Sequence, residues 1–320
     1  MKKTRLLLML ACSLFVVTAQ AKTYQVGVAL ANFDLNFVSI LRSQMARELA
    51  AQQLQGQFVD AKGDVALQVQ QVDDLINQGV DAIILNPVDT QGVQPMIAAA
   101  QRAAVPLIFV NRKPEVPLSG ATAYVGSDSA LSGATAYVGS DSALSGRLQM
   151  EALAKKMNYR GNVAILMGAL SNEETRERTR AVETVIAKYK DLKVVEKQTA
   201  KWQRNEAVDV VSGWLLNGAA IDAIAANNDE MAIGAIMALK QAKKRDVLVA
   251  GIDGTPDGLQ FIKNGDLAVT IFQDAKAQAI GAVQVTRAML DHAKTEPYNW
   301  VPYATVTREN YPQFAQMNQK

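Results

Sequence analysis

The stretch YQVGVALANFDLNFVSILRSQMARELAAQQL, residues 24–54, decides the fold. Tyr24 to Leu30 is a nearly unbroken apolar run of strand length, the pattern of a strand covered on both faces. From Val38 the period changes. Val38, Leu41, Met45 and Leu49 recur every three or four residues, which predicts an amphipathic helix over Val38–Leu54. The exchange then repeats: Phe58-Val59 reads as a strand, Val65–Ile76 as a helix, Ala82–Leu85 as a strand and Val93–Ala104 as a helix. Pro106 leads into a further strand, Leu107–Val110. Such alternation predicts right-handed βαβ units around a parallel sheet.

The pattern restarts after residue 140. Helices are expected at Leu144–Met157, Glu174–Tyr189, Asn205–Leu216, Asp229–Gln241 and Ala275–Ala293. Strands are expected at Val163–Met167, Leu192–Glu196, Ala223–Ala226, Val247–Gly251 and Leu267–Phe272. The fold class is therefore α/β, with two doubly wound units in tandem. Sheets of this kind bind ligands beyond the carboxyl ends of their strands. Asn36-Phe37, Asn86-Pro87, Asn111-Arg112, Asn228-Asp229, Asp253 and Gln273 all follow predicted strands.

Composition narrows the function. The 320 residues are 49% hydrophobic and 20% charged, a globular balance. Lys2, Lys3 and Arg5, the apolar run Leu6–Val17 and the small-residue site Ala19-Gln20-Ala21 predict a secretory signal peptide over residues 1–21. Its removal takes three of the 33 cations and none of the 31 acids, so the mature net charge is −1. That balance argues against a nucleic-acid partner. Cys12 is the only cysteine and lies inside the signal; Met9 and Leu10 do not fit a lipoprotein site. An exported chain without thiols suits the bacterial periplasm and excludes thiol nucleophiles and Cys-ligated metals. His292, the only histidine, reads as a surface or helix-terminal residue. No GxGxxG or GxxxxGK[ST] motif points to a nucleotide cofactor, and the expectation is no cofactor and no metal.

Residues 118–130, LSGATAYVGSDSA, recur unchanged as 131–143. Two identical copies are too few for a solenoid, so this is a tandem duplication. The second copy runs directly into the helix at Leu144. It is expected to supply the strand Ala136–Val138, a crossover at Gly139–Asp141 and a helix N-cap, leaving the first copy as a surface loop.

Several motifs together resemble a known family. They are Asn86-Pro87-Val88-Asp89, Asn111-Arg112, Asn227-Asn228-Asp229-Glu230-Met231-Ala232-Ile233-Gly234-Ala235 and Gly251-Ile252-Asp253-Gly254-Thr255-Pro256-Asp257-Gly258. In order and spacing they are similar to the periplasmic sugar-binding proteins of ABC importers, in the ribose-binding branch. The likeness runs from about Tyr24 through nearly the whole mature chain. Details differ from ribose binders: Phe33-Asp34-Leu35-Asn36-Phe37 departs from that branch, Trp202 stands where a pocket phenylalanine is usual, and Asn111 replaces an aspartate. Leu170-Ser171-Asn172, Arg176-Glu177-Arg178-Thr179, Thr199-Ala200-Lys201-Trp202 and Thr270-Ile271-Phe272-Gln273-Asp274 resemble the inositol- and rhizopine-binding group.

The resemblance implies two Rossmann-like lobes joined by three crossovers, with residues 22–140 plus 274–303 in one lobe and 141–273 plus 304–320 in the other. The polar tail from Glu309 is expected to be partly mobile. The resemblance also implies a ligand-binding set. Asp34, Asn36, Asn111, Arg112, Arg178, Asn228, Asp253 and Gln273 would meet the hydroxyl rim of a polyol, and Phe37 and Trp202 its faces. Hydroxyls both donate and accept, so planar amides, carboxylates and guanidinium groups suit the rim, and aromatic rings suit the C–H faces. The bland alternatives are a turn at Asp253, a helix cap at Asn228, a solvated helix face at Arg178 and plain core packing for Phe37 and Trp202.

The leading expectation is a monomeric solute receptor working with a membrane permease and binding a cyclic polyol, or alternatively ribose or a hexose; the others are a two-lobed regulator or periplasmic sensor and a periplasmic hydrolase using carboxylates such as Asp34 and Asp253. The signal peptide occupies the place where a regulator needs a DNA-binding module. The Arg, Asn and aromatic set suits recognition more than bond cleavage.

Overall fold

The computed structural model describes residues 23–119 and 134–319. The predicted signal peptide and most of the first repeat copy lie outside the described residues. The first sheet contains β1 (Gln25–Leu30), β2 (Gln55–Asp60), β3 (Ala82–Asn86), β4 (Leu107–Val110), β5 (Thr135–Gly139) and β11 (Tyr298–Trp300), in the order β11-β5-β4-β3-β1-β2. Every pairing in it is parallel. The second sheet contains β6 (Gly161–Met167), β7 (Leu192–Thr199), β8 (Ala223–Ala226), β9 (Leu248–Asp253), β10 (Val269–Gln273) and β12 (Tyr303–Val306), in the order β12-β10-β9-β8-β6-β7. It is parallel except where β12 runs antiparallel to β10.

Helices α1 (Asn36–Ala51), α2 (Val65–Asn77), α3 (Gln94–Arg102) and α9 (Ala275–Leu290) cover the first sheet. Helices α4 (Ser142–Lys156), α5 (Glu173–Ile186), α6 (Arg204–Leu216), α7 (Asp229–Gln241) and α8 (Pro256–Asn264) cover the second. The apolar strands feed two cores each because successive side chains point to opposite faces. Ile84, Ile108 and Val110 pack under α1 and α9, whereas Ile83, Leu85, Leu107 and Phe109 pack under α2 and α3. In the second sheet Val163, Ile165 and Ile252 face α4 and α5, and Leu166, Ile224 and Val249 face α6 and α7.

The chain passes between the sheets three times. It leaves β5 through Ser140-Asp141 for α4, leaves β10 through Asp274 for α9, and passes from β11 to β12 through residues 301–302. Tyr303, which the expected boundary put in the first lobe, pairs with Gln273 in the second sheet. The tail is more tightly held than its polarity suggests. Asn318 is 1% exposed. Its Nδ2 donates to the carbonyls of Asp253, Gly254 and Gln273, and its Oδ1 accepts from the backbone N–H of Ala275.

The second repeat copy supplies β5, and Asp141 caps α4 by accepting from the N–H groups of Ala143 and Leu144. Ser119 N donates to Thr135 Oγ1 at 3.1 Å, and Thr135 N donates to Ser119 Oγ at 3.2 Å. The chain therefore leaves and returns at one point. Removing 13 residues joins Ser119 to Thr135 through Gly133-Ala134, the length of a tight turn. Deleting either copy gives the same product. The shortened protein is expected to fold, to keep any ligand-induced rise in melting temperature, and to melt slightly higher, since closing a shorter connection costs less chain entropy. Loss of cooperative melting, or of the ligand response, would contradict this.

Candidate functional site

Nine of the ten predicted residues converge on one cleft between the carboxyl ends of the two sheets. Its lining is Asn36 and Phe37 at the start of α1, Asn111 and Arg112 after β4, Arg178 on α5, Trp202 after β7, Asn228 before α7, Asp253 ending β9 and Gln273 ending β10. Leu35, Val38 and Glu174 complete it. Asp34 is the exception: it is exposed, lies outside the lining, and donates its backbone N–H to Asn32 Oδ1. It sits in the loop before α1, and only the two residues that open the helix reach the cleft. Glu174 was not anticipated. Arg178 lies one turn further along α5, so helical spacing from it was the available signal.

Two buried arginines face each other across the cleft. Arg112 is anchored by Nη1 donating to Pro87 O at 2.9 Å. Its Nε lies 3.7 Å from Glu174 Oε2 and has no hydrogen-bond partner among the described groups. Arg178 donates through Nη1 to Asn227 O at 2.7 Å and through Nη2 to Gln273 Oε1 at 3.0 Å and Tyr303 Oη at 3.3 Å. It lies 4.0 Å from both Glu174 and Asp253. Burial works against its charge, yet Tyr303, Glu174 and Asp253 overcome that and raise its pKa. Arg112 has weaker compensation, and burial lowers its pKa. Arg178 is 2% exposed, so the solvated-face reading is ruled out.

Asn228 and Trp202 each combine a structural role with a place in the cleft lining. Asn228 Oδ1 accepts from Met231 N and so caps α7, while its side chain also lines the cleft. Trp202 belongs to the core of the second sheet and presents its ring to the cleft. That ring lies flat over Gly168, where an added Cβ would stand 2.2 Å from it. Trp202 Nε1 donates to Asn172 Oδ1 at 2.9 Å. Three lining residues have positive φ: Asn111 at 65°, Trp202 at 70° and Asp253 at 126°. Such strain persists where the surroundings over-determine it, and it gathers at ligand clamps. His292 is exposed just past α9.

Behind Asp253 lies a second buried carboxyl. Asp229 Oδ2 accepts from the N–H and hydroxyl of Thr255, and Oδ1 accepts from the Thr270 hydroxyl at 2.6 Å. Burial pushes the Asp229 carboxyl up to about 7 in spite of these donors. Burial also raises Asp253 well above the usual carboxylate range, with Arg178 opposing. A raised folded-state pKa means the native protein holds the proton more tightly than the unfolded chain. The resulting stability is complete below about pH 4 and is lost as pH rises through about 7. Melting temperature is therefore expected to fall between about pH 4 and 7, and Asp229→Asn, which cannot ionise, is expected to flatten that fall. An unchanged slope in the variant would contradict the assignment.

Comparison with known proteins places the chain. Residues 26–294 match the periplasmic binding protein domain family. A proposed rhizopine-binding protein of Rhizobium meliloti is 38% identical over 97% of this chain and 98% of its own length. A xylitol-binding protein of Mycolicibacterium smegmatis is 33% identical over 94% of this chain and 82% of its own. An ABC transporter solute-binding protein from Bacillus halodurans, solved with bound myo-inositol, superposes with a TM-score of 0.84. It is 38% identical and covers 93% of this chain and 99% of the other. The chain belongs to the periplasmic binding protein family and has its type I fold. Members of this family bind solutes for ABC transporters and are not enzymes. Among the described residues, no helix is long and apolar enough to cross a membrane.

Proposed function

We propose that this protein is the periplasmic receptor of an ABC importer and binds a cyclic polyol, inositol-like in preference to ribose or a hexose, between two lobes. The first lobe is built on the first sheet and the second lobe on the second. The observation that carries the reading is the cleft itself. Two arginines, two carboxyls, four amides and two aromatic rings from both sheets meet there, which suits a ring of hydroxyls with apolar faces. The relative holding myo-inositol and the rhizopine- and xylitol-binding relatives support a polyol.

In this reading Arg112, Arg178, Asp253, Glu174 and the amides of Asn36, Asn111, Asn228 and Gln273 hold the rim. Trp202 and Phe37 flank the faces. Binding draws the lobes together and a membrane permease receives the closed form. A wrong epimer leaves a buried donor or acceptor unmade, at about 1–3 kcal/mol each, which gives selectivity. Calorimetric titration of the mature protein with myo-inositol, xylitol, ribose and galactose tests this. Tightest binding is expected for myo-inositol, with the ligand recovered unchanged by mass spectrometry. Binding of none of the four, or a chemically altered ligand, would refute it.

A further inference from the structure

Helix α5 carries Glu174 and Arg178 into the cleft, yet its own sequence does not cap it. Asn172 holds the N-cap position in extended conformation but makes no side-chain cap bond. Its amide is used elsewhere: Nδ2 donates to Val88 O, on the loop after β3, at 2.8 Å, and Oδ1 accepts from the Trp202 indole. The N–H of Glu173, the first residue of α5, donates instead to Thr90 Oγ1 at 2.9 Å. Thr90 lies on that same loop of the first sheet. A helix of one lobe is thus capped by a hydroxyl of the other.

The contact is dry and reinforced. Thr90 is completely buried. Its N–H donates to Ser171 O at 3.3 Å, and its hydroxyl lies 3.2 Å from that carbonyl and 2.9 Å from Glu115 Oε1. Lys113 pairs with Glu173 at 3.0 Å, and Arg176 pairs with Glu115, both between the two sheets. None of Thr90, Asn172, Glu173, Lys113 or Arg176 lines the ligand cleft.

We infer that Thr90 is a positioning residue for ligand capture, which caps α5 only when the lobes are closed. Asn172, freed from capping, ties the same closure to the orientation of the Trp202 ring. Closing the cleft thereby fixes Glu174, Arg178 and Trp202 together. The inference rests on the reading that a ligand is held between closing lobes.

Thr90→Val keeps the shape and removes the cap; Thr90→Ser keeps the hydroxyl and serves as the rescue. Loss of an N-cap acceptor corresponds to about a five- to tenfold change in an equilibrium. Thr90→Val is accordingly expected to bind myo-inositol five- to tenfold more weakly, chiefly through faster dissociation, with Thr90→Ser close to wild type. The second readout needs no ligand. Cysteines introduced at exposed Asp73 on α2 and Asp209 on α6 carry a donor–acceptor dye pair, in a mature chain that otherwise lacks cysteine. Energy transfer is expected to show a smaller closed population in Thr90→Val than in wild type. Equal affinities and dissociation rates in the two proteins would overturn the inference. Failure of wild type to bind myo-inositol would refute the ligand reading instead, and the ligand-free distances would then decide: equal populations overturn the cap, and a reduced one supports it.

Discussion

Arg112→Ala and Asp253→Ala are each expected to weaken polyol binding by about 10- to 100-fold or more while the protein stays folded. Hydrogen bonds to charged groups contribute about 1.5–3 kcal/mol apiece, and both side chains stand in the cleft lining. Arg112 is anchored through Pro87 O and paired with Glu174 at 3.7 Å, and its Nε has no hydrogen-bond partner among the described groups. It is therefore preorganised to donate into the cleft. Asp253 is held from behind, its carbonyl bound by Asn318 and its φ fixed at 126°. Removing its side chain leaves the backbone frame in place. Calorimetry with myo-inositol decides the matter, and affinities within threefold of wild type in both variants would remove these residues from the site.

Arg178→Ala is expected to be the most damaging single change, because it reaches stability as well as binding. The guanidinium joins α5 to Asn227 after β8, to Gln273 at the end of β10 and to Tyr303 on β12. It also stands between two buried carboxyls, Glu174 and Asp253. Removing one partner from a buried charged group costs about 3–5 kcal/mol, because the remaining charge is left uncompensated. Lysine is not expected to restore the loss, since a single ammonium cannot serve the donor directions of the planar fork. Helix α5 packs closely on α4 at this residue: an added Cβ at Gly146 would stand 2.3 Å from the Arg178 carbonyl oxygen. Urea unfolding measures the effect. A loss below about 1 kcal/mol would show that the carboxyls do not depend on this arginine.

What was legible in the sequence followed burial. Strands covered on both faces, such as Leu107–Val110 and Ala223–Ala226, coincide with the apolar runs that announce them. The edge strands do not. β2 reads QGQFVD and β7 reads LKVVEKQT, each largely solvent-facing, so polar residues fill positions that an apolar run would otherwise mark, and the pattern marks only Phe58-Val59 of the one and Leu192–Glu196 of the other. β11 and β12 are three and four residues long around Pro302 and carry no run at all. Helix α8 went unread although its ends are signalled, by Thr255 accepting from Gly258 N, Pro256 in the first turn and Gly265 in the left-handed conformation. Nine residues give too little periodicity to announce a helix by pattern.

The site shows the same division. Strand ends drew attention to Asn111, Asp253 and Gln273 through general rules, whereas Arg178 and Trp202 were named only through the resemblance to a family. Arg178 looks like part of a charged helix face until α4 and the second sheet close over it. Asn318 and Thr90 were invisible because their roles are long-range. Asn318 reaches carbonyls 45 to 65 residues away, and Thr90 accepts from a helix 83 residues downstream. No local pattern encodes either contact.

The most direct test of the polyol-receptor reading is a crystal structure of the mature protein grown with excess myo-inositol. One ring is expected between the sheets, its hydroxyls within hydrogen-bond distance of Arg112, Arg178 and Asp253 and one face against Trp202. A cleft without the polyol, or the polyol seated outside this lining, would contradict it.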